Sequence, residues 1–345
     1  MAGIRKKEKK RDYSPDFKLE IRTHVWYNLT NDRNVCTHKL MEGDVNMEVN
    51  TGIIVQPLHR YNREQDCMEA LIAMKWPNGF VCPRCAYTRC SQLTSRRIPL
   101  FECGKCAHQT SALVGTIFEG TRLPLLKWFH ALELFLLPDG ISAMRLHQVI
   151  RVTYKTAWLM LHKIRHAVGE FDARELLSGD VKVNSDTYGY DPSRCKLFQP
   201  HASAVIAGCT VTESGEPEQV KIQLIPHKRG RENRATRHEL TAFINDHVDA
   251  RISEVHSFPL AFQLYSPLRK VVREAWVSLK STYIALGPKH LQAYLNEYTL
   301  RRRLYLLGAR EAMHEKLLCL CVAIPAIPYS QLIMHHPSRP LSAVA

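Results

Sequence analysis

Two cysteine pairs, Cys82-Pro-Arg-Cys85 and Cys103-Gly-Lys-Cys106, stand seventeen residues apart, and no other feature restricts the fold of this chain as tightly. That spacing lies inside the window of a four-thiolate zinc site. Each Cys-x-x-Cys turn aims two thiolates at one point, and two such turns close a tetrahedron with Zn–S distances of about 2.3 Å. No coordination position is left for a substrate, so the expected Zn2+ is structural. Cys90 lies between the pairs and lacks a partner at ligand spacing. A disulfide scaffold would need an oxidising compartment. The N-terminus instead runs Arg5, Lys6, Lys7, Lys9, Lys10, Arg11 with no apolar segment behind it, which reads as a reducing, cytoplasmic setting.

The 345 residues, 45% of them hydrophobic, are enough for two or three domains with a sizeable core. Forty-seven Lys and Arg against 33 Asp and Glu leave a formal charge of +14, a field that attracts polyanions and points to nucleic acid. No membrane span is expected. The most apolar late stretch, Leu317 to Ile327, is shorter than a bilayer requires and is broken by Pro325 and Pro328.

Residues 1–58 read as a basic, poorly ordered arm, and 59–110 as a lead-in helix (Asp66 to Met74, stopped by Pro77 and Gly79) followed by the zinc ribbon. Helical spacing over Pro124 to Leu136 and Ser142 to Val168 makes 111–170 a helical region. Within it Ser142 caps one helix, Arg151 and Val152 form a turn, and Thr153 caps a second helix, which is a helix-turn-helix outline. On the second helix Lys155, Thr156, Lys163 and Arg165 offer donors to double-stranded DNA, while Trp158, Leu161 and Ile164 face inward. Beyond this the period changes. Val181 and Val183, Ser203 to Val211, and Val220 to Leu224 read as three strands of a meander, with Gly215 in a turn. Helices are expected again at Glu239 to Val248, Leu268 to Leu286 and His290 to Leu306. The second domain, 178–310, is therefore α+β, and 311–345 is read as a C-terminal tail. Basic segments at Asp191 to Gln199, with Arg194 and Lys196, and at His227 to Arg237 are either phosphate contacts or solvated loops.

Four blocks, KWPNGFVCPRC (Lys75 to Cys85), VGTIFEGTRLPLLKWF (Val114 to Phe129), VTYKTAWLMLHKIR (Val152 to Arg165) and GPKHLQAYLNEY (Gly287 to Tyr298), occur in the order of a known family. The chain resembles the ISXO-two-like transposases of the insertion-sequence family numbered 1595. That resemblance implies a zinc ribbon and helix-turn-helix followed by an RNase H-like mixed sheet flanked by helices. It also implies DNA recombination by a DDE triad of side chains holding two Mg2+ or Mn2+ ions, which clamp the attacking and leaving oxygens of a phosphoryl transfer. The implied partners are the element's terminal repeats and target DNA, the implied location is the nucleoid, and a homo-oligomer on DNA is expected.

This sequence departs from the family at the triad. The first Asp position falls on Asn184 when counted from the valines and on Ser185 when counted from Thr187 and Tyr188. Asp186 shares a strand face with Asn184 and is the carboxylate nearest to that place. The second position is filled by Glu254 and the third aligns with Glu274, so the catalytic candidates are Asp186, Glu254 and Glu274. Three functions follow as expectations: a transposase with impaired catalysis, a non-catalytic DNA-binding descendant of one, or a zinc-ribbon RNA-binding protein.

Overall fold

The computed structural model describes residues 61–94, 97–189, 202–226, 235–260, 262–283 and 286–333. All of them lie in one compact unit, Ile53–Ala345. The basic arm at 1–58 and the basic segments at 191–199 and 227–234 lie outside the described residues.

Helix α1 (Glu64–Lys75) leads into a three-stranded antiparallel ribbon, β1 (Cys90–Leu93), β2 (Leu100–Cys103) and β3 (Gln109–Thr110). Three helices follow from the apolar periodicity and the caps. In α2 (Leu125–Phe135) nearly every apolar side chain is buried, and its N-terminus has no cap of its own. The Glu64 carboxylate supplies one from α1, accepting hydrogen bonds from Leu125 N (2.8 Å) and Leu126 N (3.0 Å). Ser142 caps α3 (Ala143–Ile150), and Thr153 caps α4 (Tyr154–Arg174). The left-handed Arg151 (φ 53°) turns the chain between them.

The second half holds β4 (Leu177–Tyr188), β5 (Ser203–Val211), β6 (Pro217–Leu224), α5 (Arg237–His247), β7 (Val248–Phe258), α6 (Ser266–Tyr283) and α7 (Pro288–Tyr305). The strands form one mixed sheet in the order β6-β5-β4-β7. The pairs β6/β5 and β5/β4 are antiparallel, and β7 is parallel to β4. Both faces are covered. Leu177, Val181, Val183 and Ile206 pack on α5, while Val205, Ala207 and Ile222 pack on α6 and α7. Double coverage explains why β5 reads as a continuous apolar run. Gly208 on β5 is required by close approach, because a Cβ there would lie 2.7 Å from the Phe243 ring. The fold is thus α+β, with a ribbon, a helical core and a sheet layered between helices. No helix among the described residues is long and apolar enough to cross a membrane.

The segment read as a tail contributes to the core instead. Helix α8 (Arg310–Ala323) buries Met313, Leu317, Leu318 and Cys321 against the helices of the N-terminal half, and among the described residues the short α9 (Tyr329–Ile333) follows it. Pro325 and Pro328 end α8, yet the chain stays attached, since Ala326 N donates to Thr116 O (3.1 Å).

The helical and sheet halves are joined by a buried ion cluster. Arg165 of α4 donates to Glu297 of α7 through Nε (2.6 Å), Arg301 donates through Nη1 (2.7 Å), and the Tyr283 hydroxyl of α6 adds a third bond (2.7 Å). Arg165 also lies over the Tyr294 ring, 3.9 Å from its centroid. Burial pushes the Glu297 carboxyl up, but the two guanidiniums outweigh it and hold it below the usual carboxylate range. Gly140 (φ +72°) borders this cluster, where a Cβ would stand 2.4 Å from Arg301 Nη1. Close by, His162 is buried against Trp158, with ring centroids 3.9 Å apart and no hydrogen bond to its Nε2. Desolvation, aided by Arg165 and His290, holds its imidazole down at about 2.

Two outcomes are expected. Glu297→Gln should lower the unfolding free energy by about 3–5 kcal/mol in urea denaturation, because both arginines stay buried facing a neutral amide. A loss below about 1 kcal/mol would reduce the cluster to a peripheral contact. The unfolded chain protonates His162 at its ordinary value near 6.5, and the folded chain protonates it only near 2. Its contribution is therefore complete above pH 6.5 and lost as pH falls through that value, at up to about 1.4 kcal/mol per pH unit. Urea midpoints between pH 7 and 5 should fall less steeply in His162→Gln.

Candidate functional site

The four cysteines converge. One Sγ each from Cys82, Cys85, Cys103 and Cys106 lies within 4.8 Å of the others, with Sγ–Sγ approaches of 3.7 Å (Cys82–Cys106), 3.6 Å (Cys85–Cys103) and 3.4 Å (Cys85–Cys106). A tetrahedron with Zn–S bonds near 2.3 Å has edges of about 3.8 Å, so the set fits a zinc ion with little movement. Two local turns of the same kind build it. Cys82 N pairs with Tyr87 O and Ala86 N with Cys82 O; Cys103 N pairs with His108 O and Ala107 N with Cys103 O. Each turn closes on a left-handed alanine, Ala86 (φ 57°) and Ala107 (φ 49°). The Cys103 thiol is held down at about 6; burial acts against this, while the amides of Cys106 and Lys105 favour the thiolate that a metal needs. Trp76, Phe80 and Phe101 pack under the site with ring centroids 4.9 to 6.0 Å apart. Cys90 pairs with Cys103 across β1 and β2 but is exposed and stays out of the cluster.

The residues expected to meet DNA divide differently from the sequence reading. Lys155 is exposed on the first turn of α4, and Thr156 is half-buried in the Thr153 cap. Lys163 is half-buried, donates to Ile117 O (3.3 Å), and is held below the usual lysine range by burial. Arg165 is buried on Glu297 and cannot reach a ligand. The reason is geometric: between Ala157 and Gly169 no residue of α4 is exposed, because that stretch runs between the helical core and α7. Leu161 and Ile164 are buried as expected, and Trp158 is half-buried on His162. Around Lys155 the exposed residues are Met144, Arg145, Gln148, Val149, Arg151 and Tyr154.

The carboxylate candidates are not brought together. Asn184 is fully buried, and both ends of its amide bind the backbone of Tyr265: Nδ2 donates to Tyr265 O (3.0 Å) and Oδ1 accepts from Tyr265 N (2.9 Å). It clamps the approach to α6 onto β4, so its amide is engaged in holding the backbone. Ser185 points to the opposite face of the sheet. Glu254 pairs in register with Asp180, six residues before Asp186 on β4, which puts the two carboxylates about 20 Å apart along the strand direction. Glu254 is exposed beside His256 (3.1 Å), and Glu274 is exposed 4.0 Å from Lys270. Asp186 accepts a hydrogen bond from Thr187 N (2.8 Å) and faces Arg269 and Arg273. Among the described residues, the four cysteines are the only His, Cys, Asp or Glu group placed to share a metal ion. The candidate carboxylates, as the described residues place them, do not fit a pair of Mg2+ or Mn2+ ions.

Residues 62–109, which contain the whole cysteine site, match the transposase zinc-ribbon domain family. The ribbon is of the transposase type. An uncharacterised protein in transposable element ISH50 of Halobacterium salinarum is 27% identical over 132 residues, covering 38% of this chain and 44% of that relative. No solved structure matches the chain. The ribbon is accordingly similar to those of insertion-sequence transposases, and the chain spans less than half the length of the transposable-element relative it matches, which leaves its activity as a separate question.

Sequence reasoning missed Glu297 and Tyr265, since Arg165 and Asn184, their partners, lie far away in the chain and carry no local signature, and it read Arg301 only as part of a basic cluster with Arg302 and Arg303, a phosphate contact or a solvated face. For the transposase-type ribbon, elemental analysis should find one zinc per chain. Cys103→Ser should lose that metal and unfold the ribbon, because structural zinc contributes roughly 10–16 kcal/mol of apparent binding energy. Zinc-free, folded protein would contradict the assignment.

Proposed function

We propose that this chain is a DNA-binding descendant of an insertion-sequence transposase, with the zinc ribbon and helix-turn-helix retained and strand cleavage impaired or lost. The observation that carries the reading is a transposase-type zinc ribbon followed by a domain whose acidic candidates do not cluster. The sheet order supports descent: a central β4, antiparallel β5 and β6 on one side, parallel β7 on the other, and helices on both faces are what an RNase H-like domain requires. Helices α3 and α4 form the helix-turn-helix, with Lys155 and the exposed residues around it as the DNA-facing end. The partner is double-stranded DNA, with element ends as the preferred sequence and a homo-oligomer as the assembled form, in the cytoplasm on the nucleoid.

The test pairs binding with chemistry. The full chain should bind duplex DNA from the flanks of its own gene, with Lys155→Ala reducing the slope of log K against log salt by about one unit. It should not nick that DNA in Mg2+ or Mn2+. Nicking abolished by both Asp186→Ala and Glu274→Ala would establish an active enzyme and overturn the reading. Binding to structured RNA in preference to duplex DNA would favour a zinc-ribbon RNA-binding protein.

A further inference from the structure

At the end of β4 lies a small cavity lined by Asp186, Thr187, Arg269, Arg273 and Trp276, among others. Its polar groups are unmatched. Arg269 Nε and Asp186 Oδ2 are both closed off from solvent, and neither has a hydrogen-bond partner. Each such group costs about 1–3 kcal/mol while it stays unmade, so a pocket holding both is incomplete without something between them. Burial pushes the Asp186 carboxyl up from its ordinary value, against the opposing pull of the Thr187 amide and of Arg269 and Arg273.

The surroundings decide what that something is. Arg269, Arg273, Trp276 and Lys280 follow one another at helical spacing along one stripe of α6, and Lys280 Nζ lies 5.3 Å from the Trp276 ring centroid. The Trp276 ring in turn meets Tyr188 of β4 edge-on at 5.3 Å. A divalent cation in the cavity would complete Asp186 but would face two guanidiniums with a single carboxylate to offset it. An oxyanion gives Arg269 Nε a partner and faces two guanidiniums against one carboxylate. We infer that this cavity is an anion site for a phosphate-type oxyanion, held by the Arg269 and Arg273 guanidiniums. The inference stands on these side chains and not on descent from a transposase. Two sources share the chemistry, a backbone phosphate of nucleic acid and free phosphate.

Thermal denaturation of the full, zinc-loaded chain in inorganic phosphate, against chloride at matched ionic strength, reads the site directly. Phosphate should raise the Tm, and Arg269→Gln and Arg273→Gln should each weaken the apparent phosphate affinity about tenfold, the effect of losing one charge-assisted hydrogen bond. Arg273 is exposed; should Arg269→Gln fail to fold, Arg273→Gln alone decides. Asp186→Asn removes the carboxylate charge beside the site, so the phosphate response should be retained or increased. A response abolished by Asp186→Asn, or unchanged in both arginine variants, would overturn the inference. With a duplex oligonucleotide, a salt slope reduced by about one unit in Arg273→Gln identifies a backbone phosphate as the source. An unchanged slope beside a lost phosphate response identifies a free oxyanion. Failure of duplex DNA binding by the unsubstituted chain would defeat the proposed function and leave the phosphate result standing.

Discussion

The two halves of this molecule depend on one carboxylate. Glu297 sits with no solvent exposure between Arg165, Arg301 and Tyr283, so α4, α6 and α7 meet at a single buried charge. A buried charge left without partners is far more costly than an exposed one, and the geometry here satisfies both carboxylate oxygens. The arrangement demands a glycine at position 140 and removes Arg165 from the surface. It is reinforced nearby, where Lys221 of β6 pairs with Asp172 of α4 at 3.2 Å and Arg303 of α7 pairs with Glu175 just beyond α4. Helix α4 is therefore both the second helix of the proposed DNA-binding unit and the strut against which the sheet domain is fixed.

What could be read from the sequence was local. Ligand spacing reveals the four cysteines because each pair closes within one turn of chain. Caps at Ser142, Thr153 and Thr236 mark helix starts because their partners lie three residues away. Strand periodicity separates β4, β5 and β6 for the same reason. What could not be read was long-range. Arg165 looks like a DNA donor on a basic helix until Glu297, 132 residues later, is seen beside it. Asn184 looks like a degraded metal ligand until its 81-residue pairing with the Tyr265 backbone is known. Residues 310–323 resemble a tail because two prolines follow them, and only the exposed groove left by α1, α2 and α4 makes them a core helix.

These assignments separate scaffold from chemistry. The ribbon still gathers four thiolates, and the sheet still lies between helices. At the end of β4, however, an amide and two arginines stand near the single Asp186 where the family resemblance implied a cluster of metal-binding carboxylates. A stable scaffold tolerates such replacement because Asn184 and the arginines form contacts of their own, so the fold does not depend on the metals that cleavage would need.

The most direct measurement is electron paramagnetic resonance of the zinc-loaded full chain titrated with Mn2+. Two ions held a few ångströms apart by one active site are magnetically coupled. The account predicts only free or singly and weakly bound Mn2+, with no coupled pair at any occupancy. A coupled two-manganese spectrum would contradict it and return the chain to the active transposases.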